Sequence, residues 1–279
     1  MSCYDKLRKD MKVLDNKPKE SLNQFLELYS NIRPMEENHL FKTQDLIAYY
    51  KKSKATVMDN PLQHLESQWF DALINNEIDY SVYSHEDYFT EVWACWAVYS
   101  RTNLKLIEKH KNRLFPEVKS VLDLGNGLGM TTVALTEMFT DASVTGTNLK
   151  ISEQWKFCEL LQKSYSFDMR EDSKELGHVD LVFALEYFEH IHDPIAHVEE
   201  IIEHNKPKYM VICNSFGTIG IGHFKTYETK RGDIDCKKMS KLFRDTMKAH
   251  GYEKIKTGIF NDTPNVYKLN ENENFNTLF

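Results

Sequence analysis

Residues 186 to 193 read Glu186-Tyr187-Phe188-Glu189-His190-Ile191-His192-Asp193, which places two carboxylates and an imidazole within five positions. If a helical turn begins at Glu186, positions 186, 189 and 190 share one face, because residues three and four apart on a helix are neighbours. Such a set suits a divalent cation: carboxylates favour Mg2+ or Mn2+, and an imidazole shifts the preference toward Mn2+, Fe2+, Co2+ or Zn2+. A cation there would orient adjacent hydroxyls and lower the pKa of one. Two other readings stand beside it. His190 serves equally as a metal-free general base with Glu189 next to it, or it simply packs.

The run in front of these residues, VDLVFALE, has the length and apolar character of a buried strand. From Ser120 onward strands and helices alternate. KSVLDLG is a strand, MTTVALTEMF a helix, ASVTGTN a strand, SEQWKFCELLQKS a helix and YSFD a short strand. After VDLVFALE come the helix DPIAHVEEIIEH, the strand PKYMVICNS, the helix KKMSKLFRDTMKAHG and a final strand pair, EKIKTGIF and NVYKL. This order predicts an α/β fold with a mostly parallel sheet, helices on both faces, and a ligand at the carboxyl ends of the strands.

The first of those strands enters Leu124-Gly125-Asn126-Gly127-Leu128-Gly129 and a helix follows. Glycines at such a turn permit positive φ and let backbone amides approach a ligand. Asp123, just before the turn, is placed to orient those amides or a ligand amino group. The spacing GNGLG is not the GxGxxG of dinucleotide binders, and no phosphate-binding Lys-Ser or Lys-Thr follows.

The first ~115 residues carry almost no strand signal and read as helical segments broken at Pro18, Pro34 and Pro61, a lid or substrate-binding region ahead of the domain at 116–279. They include SLNQFLELYSNI, TQDLIAYYKK, PLQHLESQWFDALI and a long helix from Ser84 or His85 to Phe115. With 279 residues, 41% apolar and 28% charged, the chain has a globular composition. Its 42 acidic and 35 basic residues give a net charge of −7, so no global field draws a polyanion, although a local basic patch can still do so. Five dispersed cysteines without a CxxC fit a reduced, cytoplasmic setting, and no apolar run approaches the ~20 residues of a membrane span.

On VLDLGNGLG, VTGTN and VDLVFALEYFEHIHDP, with the closing strand pair, the sequence resembles the class I S-adenosylmethionine-dependent methyltransferases over roughly residues 115 to 270. The resemblance implies their Rossmann-like seven-stranded sheet and S-adenosylmethionine as cofactor. It implies a cofactor site of Asp123, Gly125, Asn126, Gly127, Gly129, Asn148 and Glu186, with Asp168 toward the adenine amine. At the end of the second strand this family usually has an acidic residue for the ribose hydroxyls, whereas the chain has Asn148, whose amide oxygen accepts without charge assistance. Glu153 is a candidate to compensate.

Glu-x-x-Glu-His is similar to the pattern in ubiquinone-pathway and small-RNA 3′-end O-methyltransferases, which associate it with Mg2+- or Mn2+-dependent O-methylation. In the RNA enzymes a later histidine completes the site, and His223 occupies a comparable place here. The implied metal set is Glu186, Glu189, His190 and His223, and the implied acceptor is a hydroxylated small molecule or an RNA end. The alternatives are metal-free N- or C-methylation with His190 as base, or a non-catalytic cofactor-binding subunit. Ordinary DNA base methylation is disfavoured, because neither Asp-Pro-Pro-Tyr nor Asn-Pro-Pro-Tyr follows the fourth strand and no Pro-Cys occurs.

Overall fold

The computed structural model describes residues 63–75, 77–85, 88, 105–150, 152–163, 165–218, 220–258 and 264–270. The expected helices over residues 21–32 and 43–52, and most of the long one, lie outside the described residues. Within them, helix α1 spans Gln63–Ile74, a 3-10 turn Tyr80–Ser84 and α2 Lys105–Leu114. The domain then runs β1 (Ser120–Asp123), α3 (Met130–Met138), β2 (Ser143–Thr147), α4 (Glu153–Leu161), β3 (Asp168–Arg170), β4 (Leu181–Leu185), α5 (Pro194–Asn205) and β5 (Tyr209–Cys213). It closes with a small hairpin, β6 (Thr226–Tyr227) and β7 (Ile234–Asp235), then α6 (Cys236–Ala249), β8 (Tyr252–Ile255) and β9 (Asn265–Leu269).

Seven strands form one sheet in the order β3-β2-β1-β4-β5-β9-β8. β1 to β5 pair in parallel, and β9 runs antiparallel between β5 and β8. The order reverses between β1 and β4, so their carboxyl ends open a crevice of the kind in which such sheets hold ligands. Helices cover both faces, and the central strands are therefore apolar throughout: all five residues of β5 are buried. Alternation sorts them between two cores. Val121, Leu181, Phe183, Tyr209 and Val211 face one side with Ile107, Leu135 and Leu161, while Leu122, Val182, Ala184, Met210 and Ile212 face the other with Trp69, Phe188, Val198 and Phe243.

Helix α5 starts sharply because the Asp193 side chain accepts hydrogen bonds from the amides of Ile195 (3.1 Å) and Ala196 (2.9 Å), with Pro194 in the first turn where its missing N–H costs nothing. That cap fixes where the Glu186–His192 loop ends. Two features depart from expectation. The short third strand lies at Asp168–Arg170 rather than at YSFD, because α4 closes with the Tyr165 amide bonded to the Leu161 carbonyl, which leaves Tyr165 in a turn. The β6–β7 hairpin, two residues per strand, lacks the alternating run that would announce it.

Candidate functional site

The turn after β1 is built on left-handed glycines: Gly125, Gly127 and Gly129 have φ of 60°, 53° and 77°. A side chain at Gly125 would collide with the Tyr187 ring, so the glycine lets the loop after β4 pack against the turn after β1. The turn is pinned from below. The Thr147 hydroxyl accepts from the Gly125 amide (3.2 Å), and the Thr147 carbonyl accepts from the Asn126 amide (2.9 Å).

A buried relay follows. Asn126 Nδ2 donates to Thr132 Oγ1 (3.1 Å), and that hydroxyl donates to Asp123 Oδ2 (2.7 Å). Burial pushes the Asp123 carboxyl up to about 7, only partly countered by Thr132. The α3 N-terminus has Gly129 at its cap with no side-chain bond to it. Open amides and a buried acid at one strand end can hold a ligand that carries both a carboxylate and an ammonium group.

Asn148 is tied into the same turn. Its Nδ2 donates to the Gly127 carbonyl (2.8 Å) and to Asn126 Oδ1 (3.1 Å), while its Oδ1 accepts from the Leu149 amide (2.8 Å). A flipped amide would face donor to donor at Leu149 and acceptor to acceptor at Gly127, so this orientation is the one the surroundings permit. Asp168 is not brought to this edge. It opens β3 opposite Thr145, with an exposed side chain, whereas the carboxyl end of that strand is Arg170, paired with Thr147, and Glu171 follows it. Nothing is described of the Glu153 side chain.

Past β4 the chain turns at Glu186, whose φ is 50°, and then forms a 3-10 turn, Phe188–His190. The three residues therefore do not share a helical face. They converge because two of them reach the same residue after β5: the Ser215 amide donates to Glu189 Oε1 (2.7 Å) and the Ser215 hydroxyl to Glu186 Oε2 (2.6 Å). Glu189 is fully buried, and its Oε2 has no hydrogen-bond partner among the described residues. Burial, and then the neighbouring Glu186 carboxyl, hold Glu189 well above the usual carboxylate range.

His223 arrives from the segment after β5. Potential ligand atoms of Glu189, His190 and His223 lie within 4.8 Å of one another, and the two imidazole rings meet edge to face at 4.8 Å between centroids. The Thr218 carbonyl is 2.9 Å from His223 Nδ1, so Nδ1 carries the proton and Nε2 keeps its lone pair. Burial, then the adjacent His223, keep His190 well below the ordinary histidine range, and burial lowers His223 too. Both rings are thus neutral at neutral pH. One buried carboxyl and two neutral imidazoles make a donor set that can hold a divalent ion, and Glu186 lies outside that group of three.

Ser215, Thr218 and Tyr83, whose hydroxyl is 3.1 Å from His190 Nδ1, were not legible as site residues. Asn214-Ser215 directly after an apolar strand was the one available signal, since ligands gather at strand carboxyl ends.

Residues 99–231 match the family model described as a methyltransferase domain. No curated protein matches the sequence. Among solved structures, the N-terminal domain of EvdMO1 with S-adenosylhomocysteine bound is similar at 18% identity and a TM-score of 0.33, covering 39% of this chain and 48% of that one. The plantazolicin methyltransferase BpumL in complex with S-adenosylhomocysteine gives 15%, a TM-score of 0.39, and 53% and 62% coverage. The fibrillarin/Nop5p complex gives 14%, a TM-score of 0.39, and 56% and 73%. The chain thus spans about half the length of the first of these. Residues 99–231, just under half of the chain, resemble a methyltransferase domain, and the 3-2-1-4-5 parallel sheet closed by an antiparallel strand agrees with the Rossmann-like methyltransferase fold expected from the sequence.

Proposed function

We propose that the chain transfers a methyl group from S-adenosylmethionine to a hydroxyl, on a small molecule or on a ribose at an RNA end, with Mg2+ or Mn2+ held by Glu189, His190 and His223 and by Glu186 at the rim. The observation that carries this reading is the convergence of Glu189, which is buried, with His190 and His223, which are partly buried. A divalent ion in that place supplies Lewis acidity, which lowers the pKa of a nearby hydroxyl. The rest falls to the chain. Asp123, Gly125, Asn126, Gly127, Gly129 and Asn148 hold the cofactor, with Glu171 better placed than Asp168 to reach the adenine. Ser215 aims both carboxylates, Thr218 sets the His223 tautomer, and the N-terminal helical region, residues 1–115, covers the acceptor side. No described helix is long and apolar enough to cross a membrane, and the reduced cysteines expected from the sequence support a cytoplasmic setting.

A second reading is supported by the depressed pKa of His190: a neutral imidazole beside Glu189 also serves as a metal-free base. Turnover of cofactor to S-adenosylhomocysteine, measured with metabolite and RNA fractions, separates the two. Loss of turnover in EDTA, restored by Mn2+ or Mg2+, is expected. Full turnover in excess EDTA, combined with a large loss in His190→Ala, would leave His190 as the base.

A further inference from the structure

Tyr83 belongs to the 3-10 turn Tyr80–Ser84, far in sequence from the methyltransferase strands, yet its hydroxyl stands 3.1 Å from His190 Nδ1 and its ring meets the His190 ring edge-on at 5.8 Å. Tyr83 is itself held in place. The buried Gln154 side chain on α4 donates to the Tyr83 carbonyl (2.9 Å), and the rings of Trp69, Tyr80 and Tyr88 surround it at 6.5, 6.1 and 5.1 Å. Gly222, at φ 78°, leaves room for the Tyr83 hydroxyl and His190 Nδ1 together, since a Cβ there would strike both. The same N-terminal layer braces the other histidine, through Trp69 Nε1 donating to the His223 carbonyl (2.9 Å).

A buried neutral imidazole has one donor and one acceptor nitrogen, and which is which decides whether it can ligate. We propose that Tyr83 is a positioning residue for His190: its hydroxyl oxygen accepts the Nδ1 proton and so leaves Nε2 as the nitrogen with a lone pair for a cation. Thr218 plays the same part for His223. The two histidines then have matching tautomers set by groups outside the cluster, one of them supplied by the N-terminal region. Hydrogen bonds of this kind to ligating histidines raise ligand basicity and fix ring orientation.

This inference rests on the metal reading above, and Mn2+ binding tests the two apart. Electron paramagnetic resonance titration of the full chain with Mn2+ gives the affinity of wild type, Tyr83→Phe, His190→Ala and the double variant, with S-adenosylhomocysteine affinity and thermal midpoint in EDTA measured alongside. Tyr83→Phe, which keeps the ring and its aromatic contacts, is expected to weaken Mn2+ binding by on the order of tenfold while cofactor affinity and midpoint stay the same. In the His190→Ala background the same change should add nothing, because Tyr83 acts through that ring. Equal Mn2+ affinity in wild type and Tyr83→Phe, or a tenfold loss that persists without His190, overturns the role of Tyr83 and leaves the metal site standing. Wild-type protein that binds no Mn2+ overturns both. As an independent readout, nitrogen-15 shifts of His190 should show a protonated Nδ1 in wild type and a mixture in Tyr83→Phe; a protonated Nε2 in wild type refutes the proposal.

Discussion

Asn148 stands where the resembling family has an acid, and its neighbours account for the amide. It must donate to the Gly127 carbonyl and accept from the Leu149 amide at once, which a carboxylate cannot do. Asn148→Asp would set an anionic oxygen 2.8 Å from the Gly127 carbonyl oxygen if nothing moved. It is expected to weaken S-adenosylhomocysteine binding by on the order of 1 kcal/mol, the scale of one lost hydrogen bond, as read by calorimetry; tighter binding would return Asn148 to the role of ribose acceptor. Asp123 makes a second residue-level prediction, through pH. Its folded-state pKa is raised to about 7, so the folded chain holds a proton that the unfolded chain releases near pH 4. Cofactor-free stability from this group is therefore present below pH 4 and lost as pH rises through 7. Asp123→Asn, which can still accept from Thr132, should remove that loss: the stability difference between variant and wild type should grow from pH 4 to pH 7 by on the order of a few kcal/mol. A difference flat with pH in denaturant titrations would refute the protonated Asp123.

Elements announced themselves where burial on both faces left a continuous apolar run, as in VDLVFALE and PKYMVICNS, or where a cap closed the pattern, as at Asp193-Pro194. The glycine turn was legible for the same local reason, since residues 125, 127 and 129 need φ that other side chains resist. The gathering of Glu186 and Glu189 was legible as an outcome but not in its cause: a helical face was expected, and a positive-φ kink with Ser215 as common partner is found. Tyr83 was out of reach altogether, because it meets His190 across 107 residues and no local pattern encodes a contact of that separation. The packing of two loops against each other is testable at Gly125. Gly125→Ala combines left-handed strain, about 1–3 kcal/mol, with a clash against Tyr187, so it should lower the thermal midpoint and reduce cofactor affinity together. A variant that keeps both values would mean that the two loops do not pack as described.

At the scale of the molecule, the sheet order brings two sets of groups to one edge. The β1 turn lies on one side of the crevice, the Glu-His cluster lies in the segments that follow β4 and β5 beside it, and Tyr187 and Gly125 touch between them. Adjacency of this kind is what methyl transfer requires, because the reaction is an in-line displacement whose rate depends on positioning. The negative net charge, read from composition, bears on partners rather than on this arrangement, and the acceptor is selected by surfaces that composition does not encode. The most direct test is a crystal of the chain grown with S-adenosylhomocysteine and Mn2+, with anomalous diffraction collected at a wavelength where manganese scatters strongly. A single anomalous peak among Glu189, His190 and His223, within coordination distance of all three and facing cofactor bound along the Gly125–Gly129 turn, is the expected result. Cofactor bound at that turn with no anomalous density in the cluster would contradict the account.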